Sequence, residues 1–202
     1  MMPLVQQSGN FTFETTPVEG LVVVTPRVFD DERGYFMETY QAFHFAEGGI
    51  TASFVQDNQS ASVKGVLRGL HFQIEHPQAK LVRVIRGEVF DVAVDVRPNS
   101  ATFGQWFGIV LSEENKKQLF IPRGFAHGFL VLSDYAEFAY KCDDVYYPGD
   151  EGGIAWNDDT LNINWPELIN EETGEPIPYL LSDKDQTHPT FPEVFLNSTV
   201  IF

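Results

Sequence analysis

The run Val89-Phe90-Asp91-Val92-Ala93-Val94-Asp95-Val96 is built from β-branched and aromatic residues interrupted by two aspartates. Alternation puts Asp91 and Asp95 on the face opposite Phe90, Val92, Val94 and Val96, which is the period of a strand and not of a helix. Turn-forming residues bound the run, Arg86-Gly87-Glu88 before it and Arg97-Pro98-Asn99-Ser100 after it. The same signature recurs outward. Leu21-Val22-Val23-Val24-Thr25, Lys80-Leu81-Val82-Arg83-Val84-Ile85 and Phe129-Leu130-Val131-Leu132 read as strands, with turns at Pro122-Arg123-Gly124 and Ser133-Asp134. Helical signal is thin: a short surface helix over Thr39 to Glu47, and at most a turn or two within Leu161 to Asn170. Many short strands with frequent turns predict an all-β sandwich or barrel with a few short helices. After Tyr147 the chain is richer in Pro, Gly, Asn and Asp, and reads as a loop-rich C-terminal wrap around the same core. Residues 1–202 are therefore expected to form one domain.

Composition narrows the function classes. A hydrophobic fraction of 43% and a charged fraction of 21% are ordinary for a soluble globular protein. No apolar run reaches the roughly 18–20 residues of a membrane span, and no basic-then-apolar signal peptide opens the sequence, so neither a membrane nor secretion is expected. The net charge of -16 argues against nucleic acid as a partner, because phosphate binding needs a positive surface. Cys142 has no second cysteine to pair with, which excludes an intrachain disulfide and a cysteine-cluster metal site and makes a reducing cytoplasm the expected compartment. A cationic pocket on this acidic body has to be made from few residues, since Lys and Arg total 13.

Those few are concentrated. Gly65-Val66-Leu67-Arg68-Gly69-Leu70-His71-Phe72-Gln73 is followed by Lys80 and later by Pro122-Arg123-Gly124-Phe125-Ala126-His127-Gly128-Phe129. Alternation in the first strand places Arg68 with Leu70 on one face and Gly69 with His71 on the other. Arg68 and Lys80 on core-forming strands are costly to bury unless paired, which points to an anionic ligand, and His71 is the natural general base. His71 and His127 could also ligate zinc or iron, but a stable site wants three or four ligands, and Gln73, Glu75 and His76 do not complete one; no metal is expected. Tyr140 alternates with Phe138 onto one face, as a core aromatic or as a phenol able to donate a proton. Asp185, in Leu181-Ser182-Asp183-Lys184-Asp185, gains no role from spacing.

Taken in order, several stretches resemble the dTDP-4-dehydrorhamnose 3,5-epimerase family. They are Asp31-Glu32-Arg33-Gly34-Tyr35-Phe36-Met37-Glu38, Gln56-Asp57-Asn58, the Gly65–Gln73 stretch, Lys80-Leu81-Val82-Arg83, Gly87 to Asp95, Ile121 to Leu132 and Leu181 to Asp185. The resemblance runs from about Phe11 to Asp185 and implies a cupin-like jelly roll (a double-stranded β-helix) that forms homodimers. It implies inversion of C3 and C5 of dTDP-4-keto-6-deoxyglucose, giving dTDP-4-keto-L-rhamnose, without a cofactor. His71 matches the general base, Asp185 the carboxylate that orients it, Tyr140 the acid on the opposite face of the sugar and Lys80 the cation beside the C4 oxygen. Arg33, Glu38, Gln56, Asn58, Arg68 and His127 match substrate-pocket positions. Glu151 and Lys184 match further nucleotide contacts, and Tyr146 an aromatic that stacks on thymine, with Tyr147 as the alternative. An epimerase acting at one centre, a 3,4-ketoisomerase and a sugar-nucleotide-binding jelly roll without turnover are the other readings. The tail after Gln186, apolar at Val194-Phe195-Leu196 and Val200-Ile201-Phe202, has no assigned role.

Overall fold

The computed structural model describes residues 3–196, with Leu196 described in its backbone only, so the apolar end Val200-Ile201-Phe202 lies outside the described residues. Two antiparallel sheets face each other. The larger has seven strands in the order β1-β2-β3-β11-β8-β13-β6, and the smaller five in the order β10-β9-β12-β7-β14. In the larger sheet are β1 (Val5–Ser8), β2 (Phe11–Thr15), β3 (Val22–Pro26), β6 (Gln56–Val63), β8 (Lys80–Arg86), β11 (Gln118–Ile121) and β13 (Tyr135–Cys142). In the smaller are β7 (Leu67–Gln73), β9 (Glu88–Asp95), β10 (Trp106–Ser112), β12 (Phe125–Val131) and β14 (Glu151–Gly153). The hairpin β4 (Val28–Asp31)–β5 (Gly34–Met37) forms a two-stranded sheet of its own.

The main core lies between the sheets. Val82, Val84, Leu119 and Phe138 from the seven-stranded side meet Val89, Ala93, Phe129 and Val131 from the five-stranded side. Both outer faces are covered as well. On the five-stranded sheet Leu70, Val92 and Val94 are buried under Ile154, Leu161 and Phe191 of the C-terminal wrap. On the other, Phe11, Phe13 and Leu81 are buried with Phe45 of helix α1 (Ala42–Glu47). Double coverage explains why β9 is nearly continuous in apolar residues. Asp91 and Asp95 do face away from Phe90, Val92 and Val94, but toward the interior, and both are fully buried. Buried carboxylates need partners. Asp91 has His127, and Asp95 has Arg97, Ser100 and Thr102.

Two local expectations are corrected. Leu161 to Asn170 contains no helix: Asn162 has φ +46°, Pro166 disfavours helical backbone at Trp165, and the apolar side chains are divided between two clusters. In β7, Arg68 does not share a face with Leu70. Across from β12, His127 pairs with His71 but Phe129 pairs with Arg68, so β7 carries one extra residue there. Such a bulge breaks alternation. Leu70 packs beneath the wrap, while Arg68 donates from Nε and Nη2 to Ser62 Oγ at 3.2 and 3.1 Å and lines one cavity with His71. Gly69 permits the bulge. It has φ +120°, and a Cβ there would stand 2.6 Å from Gly128 Cα.

Candidate active site

β7 presents His71 to a cavity of about 360 Å³ whose polar lining is Arg68, Glu151, Ser182, Lys184 and Asp185. His71 is register partner of His127 on β12 and of Gly153 on β14, which places it on the strand next to the β14 edge of the five-stranded sheet. Its Nε2 lies 2.5 Å from Asp185 Oδ1, and Ser182 Oγ donates to Asp185 Oδ2 at 2.8 Å. Burial works to raise the Asp185 carboxyl, but the hydrogen bonds from His71 and Ser182 outweigh it and bring its pKa down to about 2. Asp185 is thus an anion tied to the imidazole. Among the described residues no hydrogen bond occupies His71 Nδ1, which leaves that nitrogen free to accept a proton.

Tyr140 stands on β13 of the opposite sheet, packed against the main core beside Phe138. It lines a second cavity, of about 480 Å³, together with Asn58 and the outward-facing Asp57, Arg83 and Lys141. The larger cavity is thus not the one that holds His71. The two are joined electrostatically, because Tyr140 lies within range of Arg68 and Glu151, which line the His71 cavity. Burial raises the Tyr140 phenol above its ordinary range, with Arg68 pulling the other way, so it is a protonated donor at neutral pH. The Lys80 ammonium is 5.8 Å from the Tyr140 ring centroid. Burial lowers its pKa, opposed by the charges of Cys142, Asp91 and Glu151.

Lys184, Glu151, Tyr146, Gln56 and Asn58 form a hydrogen-bonded rim. Glu151 pairs with Lys184 and accepts from Tyr146 Oη at 3.2 Å; burial would raise its carboxyl, and Lys184, His71 and Tyr146 together more than offset that. Tyr146 donates its N–H to Gln56 Oε1 at 3.0 Å, and Gln56 donates to Asn58 Oδ1 at 3.1 Å. Tyr147 is stacked on His76, with ring centroids 3.9 Å apart, so of the two tyrosines Tyr146 is the one joined to the rim. His127 is buried, its Nε2 2.9 Å from Asp91 Oδ2. Arg33 and Glu38 line neither cavity. Arg33 sits at the β4–β5 turn, 85% exposed and paired with Asp31, and Glu38 accepts from Asn10 Nδ2 at 2.6 Å. Sequence reasoning missed Ser182 and His188. Ser182 stood in a quoted stretch, three positions before Asp185, and His188 follows Asp185 by three.

His71, Asp185 and His188 also offer ligand atoms within 4.8 Å of one another. Two ligands of one tetrahedral zinc ion, each about 2.0–2.2 Å from it, stand about 3 Å or more apart. The 2.5 Å contact between His71 and Asp185 is a direct hydrogen bond, closer than that separation.

A family model described as dTDP-4-dehydrorhamnose 3,5-epimerase matches residues 15–193. The chain belongs to that family. The dTDP-4-dehydrorhamnose 3,5-epimerase of Methanothermobacter thermautotrophicus is 52% identical over 179 residues, covering 88% of this chain and 93% of that protein. That of Escherichia coli is 51% identical over 181 residues, covering 89% and 94%. A crystal structure of the Legionella pneumophila dTDP-6-deoxy-D-glucose-3,5-epimerase in complex with dTDP-4-keto-L-rhamnose aligns with a TM-score of 0.82 at 50% identity, covering 89% of this chain and 92% of that one. The two facing sheets are the cupin-like jelly roll of these epimerases, and the chain is an isomerase-class enzyme of the epimerase family.

Proposed function

We propose that this enzyme inverts C3 and C5 of dTDP-4-keto-6-deoxyglucose, giving dTDP-4-keto-L-rhamnose. The observation that carries the reading is the His71–Asp185 pair, with Nδ1 of the imidazole free, opening on a cavity lined by Arg68 and Lys184. Hydrogens on C3 and C5 flank the C4 ketone and are acidic. His71 Nδ1 takes the proton, the C–H electron pair becomes the enolate, and the negative charge collects on the C4 oxygen. An ammonium such as Lys80 stabilises that charge best where water is excluded. Tyr140 then delivers its phenolic proton to the opposite face of the carbon, and solvent restores both groups. Arg68 and Lys184 supply positive charge for the diphosphate, and Tyr146 an aromatic face for thymine. Gln56, Asn58, His127 and Glu151 complete the pocket.

Arg33 and Glu38 fit this reading in a homodimer. The hairpin that carries Arg33 exposes Phe29, Tyr35 and Phe36, the last at 66%, and a second copy burying that surface would receive Arg33 and Glu38 at its own pocket. Each chain is read as one folding unit, since the main core draws on both sheets and the wrap fills an outer face.

The test is to give the purified protein dTDP-4-keto-6-deoxyglucose in deuterium oxide. Deuterium is expected at both C3 and C5, and His71→Ala should lower exchange at both by about 10²–10⁴-fold while nucleotide affinity stays within a few-fold. Incorporation at one carbon only makes this a single-centre epimerase. Near-wild-type exchange in His71→Ala removes His71 from the mechanism.

A further inference from the structure

We propose that His188 is a positioning residue for the base: its Nε2 donates to the Asp185 oxygen that already receives His71, and fixes the direction in which that carboxylate holds the imidazole. The inference rests on the reading of His71 as the base.

The geometry is specific. His188 Nε2 lies 3.5 Å from Asp185 Oδ1, and the His188 ring meets the His71 ring edge-on, with centroids 5.5 Å apart and planes at 77°. The side chain is only 8% exposed, and its Nε2 has no hydrogen-bond partner of normal geometry. A buried donor left unsatisfied costs about 1–3 kcal/mol, so a small approach to Asp185 is favoured. Asp185 has the capacity. Ser182 uses Oδ2 and His71 uses Oδ1, and a carboxylate oxygen accepts more than one bond. Strand β14 leaves room for the ring: a Cβ on Gly153 would stand 2.2 Å from His188 Cε1. Gly153 is also the register partner of His71, so one backbone position sets both imidazoles.

Charges around the ring keep it a neutral donor. Burial and the neighbouring His71 and Lys184 lower the His188 pKa, while Asp185 works to raise it, and Glu151 of β14 lies within electrostatic range of His71. A neutral His188 leaves the full charge of Asp185 available when His71 takes a proton.

Nitrogen NMR of the wild-type enzyme should find His188 as the Nε2–H tautomer; the Nδ1–H tautomer overturns the proposal without any mutation. In His188→Leu, which keeps bulk and burial, plateau kcat for exchange should fall several-fold while nucleotide affinity stays within a few-fold. His188→Gln restores a neutral donor and should return kcat toward wild type. An unmoved kcat in His188→Leu, or equal losses in Leu and Gln variants, marks the ring as packing alone and overturns the proposal. Retained exchange in His71→Ala instead defeats the base assignment, and the tautomer of His188 still reads its bond to Asp185 independently.

Discussion

Asp185 is one of two carboxylates in a charged loop by sequence, and a buried anion bonded to an imidazole in the fold. Its pKa of about 2, against an ordinary 3.8, makes it a stability element with a definite pH window. Because the folded value is depressed, the contribution is present above the unfolded pKa and lost as pH falls through the folded one. The difference corresponds to something on the order of 2 kcal/mol. Urea unfolding should lose about that much between roughly pH 4 and pH 2, and Asp185→Asn should flatten that part of the curve. An unchanged slope in the variant would place the acid sensitivity in other carboxylates. Tyr140 gives a second prediction at this scale. Tyr140→Phe keeps the ring but has no proton to give, so deuterium should still enter from the His71 side while inverted product falls sharply; equal modest losses would mark a packing residue. Residue chemistry singled out His71, Arg68 and Lys80, because cations and a histidine on core strands ask for a ligand; the structure places His71 and Arg68 on one cavity and Lys80 outside its lining. Asp185 was not. It lies 114 positions from His71 along the chain, and only the family resemblance named it. His188 was missed because only the folded C-terminal segment brings it to the pair.

Strand β9 was read correctly because both its faces are buried and its register is regular. Strand β7 was not, since a bulge is invisible to a period-two rule. The signal that survives is the glycine pair, Gly69 and Gly128, whose backbones approach too closely for a side chain. Gly69→Ala should therefore destabilise by about 2–3 kcal/mol or more, from strained φ and from a Cβ driven into the β12 backbone. It should also lower exchange beyond what partial unfolding explains, because Arg68 and His71 flank the bulge. Denaturation paired with activity at a temperature where the variant is fully folded separates the two effects. A variant as stable as wild type would show that β12 yields. The turn or two of helix allowed within Leu161 to Asn170 did not form, where positive φ at Asn162 and the proline at Pro166 overrode weak propensity.

At the scale of the whole molecule, the sandwich and the wrap were legible from strand density and from the shift in composition after Tyr147. The remoteness of Arg33 was not, because sequence order carries no information about which subunit a residue serves. Mixing subunits tests that assignment. Dimers formed from equal amounts of His71→Ala and Arg33→Ala chains should recover roughly one quarter of wild-type activity, since half are mixed and each mixed dimer has one site with both residues intact. If Arg33 acts within its own chain, the mixture shows only the average of its parents. The route by which Asp185 reaches His71 has a consequence in time as well as in space. A nascent chain that has emerged as far as β13 already carries His71, Lys80 and Tyr140, yet lacks the carboxylate, which lies 114 positions beyond His71. On the reading of His71 as the base, deprotonation waits until the segment that carries Asp185 has emerged and docked.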